Sequence, residues 1–122
     1  MATVFTNAGK AITTNRMKGA GTEPNYVAWG TGAGTAAVTD TTLFTESAEA
    51  RTAGASTQQT TSTTNDTYQV VGTLVASAPR TITNAGLLDA SSAGNLLMKG
   101  DFSGVVLAAA ESIQFTMSVQ YS

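Results

Sequence analysis

Cysteine and histidine are both missing from this chain of 122 residues. Without cysteine there is no disulfide framework, no thiolate ligand for a metal and no thiol nucleophile, and the redox compartment is left open. Without histidine the commonest general base and the commonest transition-metal ligand go together. Charge is scarce as well: Asp, Glu, Lys and Arg make up 11% of the residues, against about 25% in ordinary soluble domains, and the net charge is -2. So thin a field draws in neither nucleic acid nor an anionic membrane, and it opposes contact between copies only weakly. No basic stretch followed by an apolar core stands at the N-terminus, which predicts no signal peptide. No apolar run approaches the length that spans a bilayer.

What is present suffices for one hydrophobic core, since a chain of this size buries roughly two thirds of the surface its unfolded form exposes. The reading is a single β-rich domain over residues 1–122, with 1–21 as an N-terminal helical arm. Thr6 or Asn7 caps a short helix that puts Ala8, Ala11 and Ile12 on one face and Arg16 and Lys18 in its last turn, before Gly19 and Gly21 stop it. Residues 26–30 predict a strand, with Tyr26, Ala28 and Gly30 facing one way and Val27 and Trp29 the other. Asp40 predicts a capped helical turn through 41–51, with Leu43, Phe44 and Ala48 as its apolar patch.

From 51 to 67 the chain is nearly all small and hydroxylic, which predicts an exposed strand or pair of strands joined by a turn at Asn65-Asp66. The next strand carries Tyr68, Val70 and Leu74 on one face and Val71 and Val75 on the other, a pattern for burial on both sides. A hairpin follows: one strand after Pro79, a turn at Ser91 to Gly94, and a second strand to Phe102. Ile113, Phe115, Met117, Val119 and Tyr121 then alternate without error against polar residues, predicting a strand with one buried face. The expected fold is mainly β, an antiparallel sandwich or small barrel, jelly-roll-like, with one short N-terminal helix.

Motifs for chemistry fail in turn. "GTGAGT" at 30–35 has glycines at alternate positions, but Thr35 stands where a dinucleotide loop needs its third glycine and no P-loop lysine follows, so it reads as a pliable turn. Glu46, Glu49, Asp89 and Asp101 are better explained as caps, solvated groups and ion pairs to Arg51, Arg80 or Lys99 than as a glycosidase pair. No calcium loop is present, and Lys10, Lys18 and Lys99 lack the spacing that activates a serine. The threonines of 57–67 do not alternate strictly and read as a hydrophilic β edge more than as a sugar or water surface. Trp29, near Tyr26, reads as core more than as a stacking platform or partner hot spot. These readings predict no catalytic residue, no metal and no cofactor.

Four stretches in order, "FTNAGKAITTNRMKG", "EPNYVAWGTGAGTAAVTDTTLFTESAEAR", "ITNAGLLDASSAGNLLMKGDF" and "SIQFTMSVQYS", give the chain a wider likeness. Together they resemble a group of small structural proteins of tailed bacteriophages, several of them capsid decoration (cement) proteins and others components of tail fibres or baseplates. Leu88 departs from the pattern, standing where many of these proteins have phenylalanine. The resemblance implies a protein made in the host cytoplasm that sits on the outer capsid of the virion, touches the major capsid protein and pairs with itself as a dimer or trimer. It implies no catalytic residues. On that reading the contacts fall to Phe5, Ile12 and Arg16 of the N-terminal helix region together with Trp29. A tail module, or a carbohydrate-binding module using Trp29, Tyr68 or the threonine surface, is the alternative.

Overall fold

The computed structural model describes residues 2–121. Along them run β1 (Thr3–Phe5), α1 (Asn7–Met17), β2 (Tyr26–Gly30), β3 (Thr52–Ala53), β4 (Ala55–Gln59), β5 (Thr67–Val75), β6 (Arg80–Leu88), β7 (Leu96–Leu107) and β8 (Ser112–Gln120). The strands form two antiparallel sheets, ordered β1-β7-β6-β2-β3 and β4-β5-β8. They stack as an open sandwich and do not close into a barrel.

Strand alternation builds the core between the sheets. Val27, Trp29, Ile82 and Leu87 of the larger sheet meet Val70, Leu74, Met117 and Val119 of the smaller one. Each such side chain, fully buried, stabilises the fold by about 1.5–3 kcal/mol. In β8 the expected alternation holds from Ile113 to Val119, with Met117 and Val119 buried, Ile113 and Phe115 half-buried, and the polar residues between them exposed, but Tyr121, expected on the same buried face, lies past the strand and is exposed.

The larger sheet has a second layer on its other face, where Leu43 packs with Ala28, Leu88 and Leu96. A bulge in β7 feeds both layers. Leu87 pairs with Met98 but Leu88 pairs with Leu96, leaving Leu97 as the extra residue. Leu96 thereby joins the outer cluster and Leu97 the inner one.

Helix α1 is set by its cap. The Thr6 hydroxyl accepts the Gly9 N–H at 2.9 Å and donates to the Leu96 carbonyl at 2.6 Å, fastening the helix start to β7. Its buried residues are Gly9 and Ile12. The expected apolar face is corrected here, because Ala11 is exposed and Gly9 takes its place: a Cβ there would lie 2.3 Å from the Leu97 carbonyl oxygen. Gly19 ends the helix at φ +88°.

The expected helical turn over 41–51 is absent. Its backbone bonds to β2 and the residues after it, not to itself: Thr31 N–H reaches Thr45 O, Gly32 N–H reaches Phe44 O, and Ser47 N–H reaches Trp29 O. Asp40 does accept a backbone N–H, that of Ala37, but caps no helix, and Ala48 is exposed. The double burial expected of β5 fails as well, since Thr73 and Val75 are exposed while Val70, Gly72 and Leu74 are buried. Two features exceed the expectation. Thr3–Phe5 is a strand on the edge of the larger sheet, and β7 runs on past Phe102 to Leu107.

Candidate functional site

Most charged side chains serve as fasteners. Arg51 grips Glu46 with two nitrogens at 2.8 and 2.9 Å and donates to the Ala90 and Ala93 carbonyls at 2.8 Å each, tying the 46–51 segment to the β6–β7 turn. Glu49 accepts from Trp29 Nε1 at 3.2 Å, from Ser77 N–H and hydroxyl at 3.0 and 2.7 Å, from Arg80 at 3.1 Å and from the Ser47 hydroxyl. Burial pushes its carboxyl up, but the Ser47, Ser77 and Arg80 donors outweigh that and hold it well below the usual carboxylate range. Asp66 accepts the Thr63, Thr61 and Ser62 amides, which lower its pKa and form the 60–66 loop joining β4 to β5. Asp101 accepts from the Ala36 and Ala2 amides, and Lys99 pairs with Asp40.

Of the anticipated ion pairs, Arg51–Glu46 and Arg80–Glu49 form, whereas Lys99 takes Asp40 instead of one of the four acids singled out. Glu46 and Glu49 are taken up by Arg51 and Arg80, and Asp101 by the Ala36 and Ala2 amides. Asp89 is engaged by the amide and side chain of Asn95. Among the described residues no cluster of acids could hold a metal, and every buried side-chain nitrogen or oxygen has a partner.

The glycine stretch is shaped by close packing. A Cβ on Gly30 would sit 2.4 Å from the Phe44 carbonyl oxygen, and one on Gly32 would sit 2.6 Å from the Thr45 hydroxyl. Asn84, fully buried, donates to Phe44 O and accepts from Phe44 N–H at 3.0 Å each, holding the covering loop in place. The stretch is a packed crossing and not a free loop.

The four residues singled out for partner contact separate. Trp29 is 1% exposed and Ile12 6%, so both belong to the core and present no surface to a partner. Phe5 is half-buried, its ring set edge-on to Tyr121 at 5.9 Å. Arg16 alone is exposed, with one nitrogen donating to the Gly21 carbonyl at 3.0 Å. It stands on a ridge between two grooves. One, of about 520 Å³, runs between α1 and the Asp89–Asn95 turn. The other, of about 460 Å³, runs between α1, Glu23, Gln58 and Tyr68.

Reasoning from sequence missed the apolar residues beside Arg16. Met17 is 81% exposed and Tyr121 45%. The Tyr121 hydroxyl lies 2.9 Å from that of Thr13, and the Tyr68 hydroxyl donates to Glu23 and Pro24 O at 3.0 and 3.1 Å. Methionine in the last turn, off the Ile12 face, was the available signal. A sugar platform on Trp29 has no exposed ring to offer.

No protein-family model, curated protein or solved structure matches the chain. Among the described residues no helix is long and apolar enough to cross a membrane.

Proposed function

We propose that this chain is a decoration protein of a tailed bacteriophage head, bound on the outer capsid and bridging major capsid subunits. The observation that carries the proposal is the ordered series of motifs along nearly the whole sequence that resembles such proteins. A small sandwich whose charges are mostly spent on internal ties suits a role made of contacts instead of turnover. Contacts of the standard size, about 800 Å² per partner, held to two or more capsid subunits at once, would favour the closed shell by avidity and mass action.

The ridge of Arg16 and Met17 with Tyr121 is the surface assigned to the capsid. Arg16→Glu, at an exposed position, is expected to reduce capsid occupancy while leaving the urea midpoint of the isolated protein unchanged. Gel densitometry of purified virions before and after tail removal tests the role itself. Hundreds of copies retained on tailless heads are expected; a dozen or fewer, lost with the tail, would place the chain in a fibre or baseplate instead.

A further inference from the structure

We infer that the free edge of β8 is a self-association interface, where a second copy of this chain adds its own β8 antiparallel about a two-fold axis at Thr116. Strand β8 pairs with β5 without a shift from Thr67↔Gln120 to Val75↔Ser112. Nothing pairs with its other side among the described residues. The remaining outer strands are short: β3 has 2 residues, β1 has 3 and β4 has 5, against 9 in β8, and the other uncovered stretch is the end of β7 from Phe102 to Leu107, beyond its pairing with β1.

Proteins blunt long free edges with lysine, proline, bulges or a covering segment. The β8 sequence, SIQFTMSVQ, contains no charged residue and no proline, and its register has no bulge. The chain before it from Phe102 to Ala110 is also free of charge and proline, leaving Glu111, at the start of β8, as the one charged residue, and in that stretch Val105 is 40% exposed and Val106 78%. Between the β1–β7 edge and β8 the core opens to solvent through a cleft of about 330 Å³ lined by Met98, Phe102, Phe115 and Met117. An edge so long and bare is an aggregation site unless something covers it.

The occupant that fits is another β8. Pairing about Thr116 sets Phe115 against Met117 and Ile113 against Val119 on the core side, extending the apolar row past the cleft. It sets Gln114 against Ser118 and Ser112 against Gln120 on the outer side, with no like charges opposed. A two-fold contact of identical strands closes at two subunits, whereas β8 laid on the β4 of another copy would propagate. The dimer rests on the proposed assembly role for its purpose but not for its chemistry.

Because the chain has no cysteine, Thr116→Cys creates a single thiol. Across the axis the two Cα atoms would stand about 4.5–5.5 Å apart, within disulfide reach. Mild oxidation is expected to convert T116C largely to a covalent dimer and to leave T73C, exposed on the same sheet face one strand away, monomeric. In sedimentation velocity the wild type should be a dimer, T116K and T116D folded monomers whose urea midpoint, unlike that of the wild type, does not rise with protein concentration, and their equimolar mixture a dimer again. A wild type monomeric at every concentration, open polymers, or equal cross-linking of T116C and T73C would each overturn the interface. Virion copy number is read separately: a cross-linking dimer absent from heads removes the decoration role and keeps the dimer, and a monomer found on heads does the reverse.

Discussion

Lys99 holds a positive charge where there is almost no water. Its side chain is 1% exposed, with Nζ 3.1 Å from Asp40 Oδ2, 2.8 Å from the Thr42 carbonyl and 3.2 Å above the centre of the Phe44 ring. Asp40 keeps 22% of its side chain in solvent, so the partners are unequal, and removing the wet one strands the dry one. Asp40→Ala is expected to cost about 2–3 kcal/mol, less than the roughly 3–5 of a wholly buried pair because the Thr42 carbonyl and Phe44 ring remain. Lys99→Met leaves Asp40 hydrated beside the Ala37 amide and should cost less than about 1.5 kcal/mol. Urea denaturation ranks the two, and the opposite order would mean that Asp40 contributes little to holding the cation. Glu49 makes the complementary case at acid pH. Its folded pKa is depressed below the ordinary 4.5, so as pH falls the unfolded chain takes up the proton first. The stability it supplies is complete above that ordinary value and drains away below it. Glu49→Gln should be less stable at pH 7 and should lose less between pH 7 and pH 3, and parallel losses in the two proteins would rule Glu49 out as a source of acid sensitivity.

At the level of elements, α1 depends on one hydroxyl that does two jobs. Thr6→Ala removes the cap on Gly9 and the bond to Leu96 O together, for an expected loss of about 1–2 kcal/mol, while Thr6→Ser keeps both and should recover most of it in thermal melts. That helix was legible in the sequence because cap, cations and stopping glycines are all local. So was β8, whose period of two needs no knowledge of its neighbours, and so was the β6–β7 hairpin around its turn. The 41–51 segment was not legible. It contains helix-compatible residues, yet the atoms that decide its shape, the Asn84 amide and the backbone of residues 29–32, lie elsewhere in the chain. Strand β1 offers only Thr-Val-Phe ahead of a cap, and its status is conferred by pairing with Met98 to Gly100. The same rule governs the candidate surface. Arg16 was legible as a helix-end cation and Trp29 as core, but that Met17 and Tyr121 stay outside depends on how the sheets stack.

For the molecule as a whole, sparse charge makes each carboxylate count. The chain has 8 acids against 6 lysines and arginines, and its sequence implies neutrality near pH 4.8. Folding changes that balance. Asp40, Glu49, Asp66 and Asp101 are all held below their ordinary values, led by the Ala37 amide for Asp40, the Thr63 amide for Asp66 and the Ala36 amide for Asp101, and by the Ser47, Ser77 and Arg80 donors that overcome burial at Glu49. Half of the acids thus stay ionised at a pH where the unfolded chain has begun to neutralise them, and the folded protein reaches zero net charge only at lower pH. Native isoelectric focusing is expected to place the protein below 4.8, and focusing in urea to return it to about that value. Since repulsion between copies is weakest at neutrality, light scattering of the folded protein should peak at the native isoelectric point and not at the sequence value. Coincident native and urea positions would mean that the amide and hydroxyl donors do not hold these carboxylates as the geometry requires, and the acid stability argued for Glu49 would fall with them.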